Sequence, residues 1–357
     1  MTASIPPPPP ATADRLVGLD AARLVATLGV VWFHSIECDQ LHASGVLGRF
    51  SVAFYTLAAM IFLVQSAERR RRPYASYILE RLRRLGIPFV GWGLITVGIM
   101  YLVARGGYPL DLPQLSWDRL ADGGTLHLYF LPFLFLASIG VYPFALFMRG
   151  NRARQWTVAA LCVAIALALD CGLFNSIRPP HGPFIGRFFE VTVDRWSSVY
   201  WGVAAAVVWS RGLSRSRWRI VFAVAGAMLL VVTTAWQWKY GLVSQFKVYG
   251  GLGLLAVALA PWHNAFLRFL APFGRMSAGV YFAHMAAIYV VRYFWMRSHL
   301  QAGPTRDTAV FVCASLLCFV IIALLAALPG CRALAGYDSS RRPAADPPTP
   351  SFLPQRS

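Results

Sequence analysis

The chain has 357 residues, 57% of them hydrophobic and 13% charged, with a mean hydropathy of +0.54. Soluble domains carry about a quarter charged residues, so this composition excludes a soluble enzyme, a secreted disulfide scaffold and a disordered chain, and points to a membrane protein. The formal net charge of +18 comes from 33 basic and 15 acidic residues, and the basic ones lie mainly between apolar stretches, so the charge reads as a topology signal and no nucleic-acid partner is expected.

Residues 1–14 contain the run Pro6 to Pro10 and no basic leader, which predicts a disordered polyproline-type tail and an uncleaved first span. A bilayer core about 30 Å thick takes roughly 20 apolar residues per helix. Ten stretches meet or approach that measure: 16–36, 47–65, 85–104, 125–148, 156–173, 191–209, 219–238, 247–262, 276–296 and 307–328. The expected fold is therefore all-α, a multi-pass integral membrane helix bundle of about ten transmembrane helices within residues 15–328. With the N-terminus inside, the inner segments hold 21 of the 33 basic residues and the outer segments nine, which predicts that both termini are cytoplasmic. The longest outer connections are 105–124 and 173–190. From 329 to 357 the chain turns to Pro, Ser, Asp and Arg, the composition of a disordered cytoplasmic tail.

Ionisable side chains within a span are expensive and usually face a cavity or a partner. The first span carries Asp20, Arg23 and His34, with Glu37 just beyond. Arg23 and His34 are eleven residues apart, which on an α-helix puts them on one face, separated by about 16 Å of rise. A functional reading gives Arg23 a phosphate or carbonyl of a donor and makes His34 a general base, since imidazole titrates near neutrality. A plainer reading is an Asp20–Arg23 pair at i, i+3 with an interfacial histidine. Near the chain's end, Ser277, Tyr281 and His284 form a polar stripe that serves either as a substrate channel or as interhelical hydrogen-bond glue. His127 opens the aromatic segment 127–132, where an interfacial belt is the simplest account. Glu190 and Asp194 read as a solvated outer rim.

The inner loop 66–84 is the most basic segment, with Arg81 and Arg84 among its seven arginines. These either meet anionic lipid and fix topology or bind the phosphates of a nucleotide-bearing donor. No phosphate-binding P-loop, dinucleotide turn or G-x-S-x-G elbow accompanies them, which argues against an ATPase, a dinucleotide enzyme or an α/β-hydrolase. The six cysteines form no C-x-x-C pair and no zinc spacing, so they read as structural thiols and no metal is expected.

The order of these features resembles the bacterial membrane-bound acyltransferase family three, which includes polysaccharide and peptidoglycan O-acetyltransferases. Gly18-Leu19-Asp20-Ala21-Ala22-Arg23 followed by Val31-Trp32-Phe33-His34 is similar to the family's first-helix pattern of LDxxR and a later His. Arg81-Leu82-Arg83-Arg84-Leu85-Gly86-Ile87-Pro88 resembles its basic segment, His127-Leu128-Tyr129-Phe130-Leu131 its helix start, and Gly274 to His284 its late G-x-x-S-x-x-[IV]-Y-x-x-H segment. One departure is Phe54-Tyr55-Thr56-Leu57-Ala58-Ala59, where the family usually has a Phe-Phe pair followed by Ser-Gly; donor packing or acyl size is expected to differ there.

The resemblance implies a transmembrane O-acyltransferase of the bacterial inner membrane. It would move an acyl group, acetyl being the expected form, from cytoplasmic acyl-CoA to a hydroxyl of an extracytoplasmic glycan or lipid-linked sugar. On this reading His34 and Arg23 are the essential pair, with Glu37 one turn on to orient the imidazole. Asp20, Arg81, Arg84, His127, Ser277, Tyr281 and His284 would bind donor or acceptor. Acyl-CoA enters as a substrate and no bound cofactor is expected; the partners are the donor, the acceptor and the bilayer. The competing reading from another class is a glycan or lipid translocator, or an accessory membrane subunit, which needs the same polar cavity but no base.

Overall fold

The computed structural model describes residues 17–69, 72–109, 126–173, 192–210, 218–241, 244–260, 262, 264–298, 303–328 and 330–337. Among them all regular structure is helical, without strands. The principal helices are α1 (Val17–Ser35), α2 (Ser51–Arg69), α3 (Tyr74–Arg105), α4 (Phe130–Met148), α5 (Arg152–Asp170), α6 (Trp196–Val208), α7 (Trp218–Tyr240), α8 (Ser244–Ala258), α9 (Ala265–Arg275), α10 (Ser277–Arg297) and α11 (Pro304–Ala327). Short helical turns at Val46–Arg49 and Leu126–Tyr129 precede α2 and α4.

A helix covers most of each of the ten stretches expected to span. Among the described residues seven segments are long and apolar enough to cross a membrane: α1, α2, α3, α4 with its preceding turn, α5, α7 and α11. The other three fall short of that measure for physical reasons. The α6 and α8 helices have only 13 and 15 residues, and α10, though 21 residues long, carries His284, Arg292 and three tyrosines that lower its hydropathy. The α9 helix was not anticipated. Its 11 residues are too few for a span, and its apolar positions (Phe266, Phe269 and Phe273) recur at helical rather than continuous spacing, with all three rings exposed.

At the centre of the bundle α1 is packed against α2, α8, α9, α10 and α11. More than half of the apolar window of α1 and α2 is buried inside the protein, against 22% for α7, whose apolar side chains face outward as lipid-facing helices do. Small residues let the central helix approach its neighbours at backbone distance. A Cβ on Gly274 of α9 would stand 1.7 Å from the Asp20 carbonyl oxygen, and one on Gly48 would stand 2.0 Å from the Gly29 carbonyl oxygen. The α1 helix is thus held at two levels by backbone contacts that tolerate no side chain.

Residues 330–337, expected to begin a disordered tail, form a run of turns packed on the bundle. Trp92 donates to the Leu334 carbonyl at 2.8 Å and Ala335 is buried. The reason is local: Ala333-Leu334-Ala335 is an apolar patch inside an otherwise polar stretch. The expected tails 1–14 and 338–357, most of the connections 105–124 and 173–190, and Glu190 lie outside the described residues, as does the side chain of Asp194.

Candidate functional site

The site is built around α1 and has two ends. At its C-terminal end the helix leaves orphan backbone carbonyls, which in a bilayer need partners. Arg292 of α10 supplies them, donating from Nη2 to the His34 carbonyl at 2.9 Å and the Ser35 carbonyl at 3.2 Å. Its other terminal nitrogen pairs with Glu37 at 3.0 Å. Beyond the helix the backbone N–H groups of Glu37 and Cys38 both donate to Asp307 Oδ2 of α11 at 2.8 Å, and Asp307 is fully buried. Arg306 closes the ring, meeting Glu37 at 2.5 Å and Asp307 at 3.2 Å. Four charged side chains thus clamp the turn that follows His34.

His34 itself is partly buried and lies beside two histidines from other helices. Its ring centroid is 5.2 Å from that of His284, which is 4.8 Å from that of His127. His284 is fully buried and its Nδ1 lies 2.6 Å from the Tyr281 carbonyl. A carbonyl only accepts, so Nδ1 carries the proton and Nε2 the lone pair. By the same reasoning the 3.4 Å contact of His127 Nε2 with the Phe282 carbonyl leaves the lone pair of His127 on Nδ1. Both lone pairs, on His284 Nε2 and His127 Nδ1, are buried without a hydrogen-bond partner, which is rare in a packed core and marks a place where a hydrogen-bond donor can be received. Tyr281 ties the group together by donating to the His127 carbonyl at 2.9 Å. Among the described residues no three His, Cys, Asp or Glu side chains converge so as to hold a metal ion.

At the other end Arg23 pairs with Asp20 at 3.2 Å and lies over the Phe62 ring at 5.0 Å, with 28% of its side chain exposed. Polar groups fill the interval between the two ends. Tyr55 of α2 donates to the Arg23 carbonyl at 2.8 Å and is hydrogen-bonded to Thr27, and its phenol also meets the Ser277 hydroxyl. The Tyr55 and Tyr281 rings stand 6.1 Å apart, which carries the column from Arg23 to the histidines.

The structure therefore brings together His34, His127, Tyr281 and His284, and links Asp20 and Arg23 of α1 to Ser277 of α10 through Tyr55. Glu37, expected to orient the imidazole, instead gives both carboxylate oxygens to Arg292 and Arg306, and the ring next to His34 is His284. Arg81 is held at the α3–α4 seam, donating from Nε to the Tyr77 hydroxyl at 2.9 Å, while Tyr77 stacks on Tyr142 at 3.8 Å. Arg84 is exposed on the same helix. Neither arginine belongs to the column itself. Sequence reasoning missed Arg292, Arg306, Asp307 and the bridging role of Tyr55. Arg292 and Asp307 carried a signal, since each is an ionisable residue within an apolar stretch, but their partners lie about 260 residues away along the chain.

Neither the curated proteins nor the solved structures yielded a match. The family model for the acyltransferase domain of acyltransferase family 3 matches residues 16–328, a range that holds the whole polar column and its charged clamp, and the chain belongs to that family.

Proposed function

We propose that this membrane acyltransferase takes its acyl group from acyl-CoA on the cytoplasmic side and delivers it to a hydroxyl of a glycan or lipid-linked sugar on the opposite side. The observation that carries this reading is the continuous polar column along α1. It begins at a partly exposed arginine and ends about 16 Å further on at a histidine beside two buried ring nitrogens that can accept hydrogen bonds. The orientation follows from the positive-inside count, with α6, α8 and α10 also crossing, ten crossings in all and both termini cytoplasmic. For a chain of bacterial origin the membrane is the inner one.

In this mechanism Arg23 receives a phosphate or the carbonyl of the donor, because a guanidinium presents paired N–H groups to such oxygens. The charged part of the donor stays at the inner mouth, where Arg81 and Arg84 add positive potential, and the neutral pantetheine arm threads past Thr27 and Tyr55. His34 takes the proton of the acceptor hydroxyl as that oxygen attacks the thioester carbonyl. The carbon–sulfur bond breaks, the thiolate leaves with the donor and the proton held by the imidazole returns to sulfur. While His34 is protonated, the lone pair on His284 Nε2 gives its N–H a buried acceptor. Tyr55 stands where the family pattern has Phe, and the acyl group expected is acetyl.

Sealed vesicles of known orientation test the two-sided geometry. Acyl-CoA on the cytoplasmic side and glycan on the other should yield acylated glycan. Product formed only when both substrates share the cytoplasmic side would overturn it.

A further inference from the structure

The short helix α9 links α8 to α10 and packs on the start of α1, yet none of its side chains enters the polar column. Its residues divide among three faces. Leu267, Ala271 and Gly274 fall within an arc of about 60° at 100° per residue. Ala271 and Gly274 are buried, and Gly274 is the residue that meets the Asp20 backbone. Phe266, Phe269, Leu270 and Phe273 fill a second arc of about 100°. Phe266 is 62% exposed and Phe269 65%. Arg268 and Arg275 share the third face, about 160° from the middle of the phenylalanine arc, and both are exposed.

This division decides how α9 can sit. Upright in hydrocarbon, the helix would hold Arg268 at the depth of Phe269, where a guanidinium is expensive. Lying in the membrane surface, it puts the rings among acyl chains and the guanidinium groups on the opposite side, at headgroups and water. Neighbouring indoles mark the same level. Trp262, just before α9, and Trp218, which opens α7, are both exposed, as tryptophans gathered at a membrane–water interface are. Arg219 Nη2 draws the start of α7 to the end of α8 by donating to the Leu259 carbonyl at 2.9 Å.

The ring row also leads onto a lipid-facing surface. Phe269 meets Phe273 edge to face at 5.8 Å, and Phe273 meets Phe319 of α11 at the same distance. The α11 helix is apolar and long enough to cross a membrane, and its Leu316, Val320 and Leu324 are exposed beside Phe319. Acyl chains that cover α11 therefore cover the phenylalanines as well.

We propose that α9 is a membrane-surface helix. It lies along the membrane–water interface at the level where α1 begins, inserts Phe266, Phe269 and Phe273 among phospholipid acyl chains, keeps Arg268 and Arg275 at the headgroup phosphates, and grips the start of α1 with its third face. This placement goes beyond the acyl-transfer reading and does not depend on it.

The test uses the full chain in nanodiscs of phosphatidylcholine and phosphatidylglycerol, with the photoreactive residue p-benzoylphenylalanine replacing Phe266, Phe269 or Arg268 in three separate variants. All three positions are exposed, so the replacements leave the packed face of α9 untouched. After irradiation, mass spectrometry of the α9 peptide should show phospholipid adducts at 266 and 269, about tenfold or more above those at 268. Equal lipid adducts at 268 and 269 would mean that the helix is immersed on all sides and would overturn the surface placement. Crosslinks from 266 and 269 confined to protein, whether to another part of this chain or to a second copy, would overturn it too, because protein and not lipid would then cover the rings. Irradiation that yields no lipid adduct at either phenylalanine position would do the same, placing the rings in water.

Discussion

The two ends of α1 differ in how firmly their key side chains are held. Arg23 has one carboxylate partner, one aromatic neighbour and a partly exposed side chain. His34 stands above a turn fixed by Arg292, Arg306, Glu37 and Asp307 and beside two buried rings. An arginine that receives a large, soluble, charged donor and releases it again has to remain accessible. A base that must meet a hydroxyl within hydrogen-bond reach gains from immobility, since a displacement of about 1 Å can lower a rate roughly a hundredfold. On the proposed mechanism one helix presents a docking end and a chemistry end, and the contrast is open to experiment.

The largest effect is expected from His34→Ala, which should lower acyl transfer about 100- to 10,000-fold while the protein still accumulates in the membrane. Normal acylation by a stably inserted variant would remove His34 from the chemistry. Arg292→Gln comes next. It unclamps the turn after His34 without touching the ring, so kcat should fall on the order of a hundredfold with little change in the KM for acyl-CoA, accompanied by a lower Tm. A rise in donor KM with kcat intact would assign Arg292 to the wrong end. For Arg23→Lys the expectation reverses: a point charge replaces a paired donor, so the KM for acyl-CoA should rise about tenfold while kcat changes little.

A smaller effect reports on the clamp alone. Burial, and after it a hydrogen bond with Asp307, pushes the Cys38 thiol above its ordinary value of 9.0, so at pH 7.5 less of it is thiolate than in an open loop. Asp307→Asn should lower that value and speed maleimide labelling of Cys38 severalfold, read peptide by peptide in mass spectrometry. Unchanged labelling would mean that Asp307 does not govern the turn.

The helices were legible because hydropathy over some twenty residues is a property of the local sequence. The α9 helix was not, since eleven residues with phenylalanines at helical spacing resemble neither a span nor a loop. In the site, His34, His127, Tyr281 and His284 could each be named from local pattern and resemblance. Their adjacency could not, because it depends on how α1, α4 and α10 pack. The clamp was least visible. Arg292, Arg306 and Asp307 lie about 260 residues from Glu37 in the chain, and only folding shows that all three converge on Glu37 and the end of α1. Glu37 illustrates the same limit from the other side: one helical turn from His34 in sequence, it is turned away by two cations that sequence proximity does not reveal.

The backbone contacts at Gly274 and Gly48 have a mechanical meaning. They fix α1 in axial register at two heights, so the helix cannot slide to suit a longer or shorter substrate. On the proposed mechanism the distance from Arg23 to His34 works as a rigid gauge, and any adjustment comes from the flexible arm of the donor. A methyl group at residue 274 would collide with the Asp20 backbone and displace α1 as a unit, moving both marks together. Transfer by Gly274→Ala should therefore decline for donors of every acyl length alike, with no shift in preference among them.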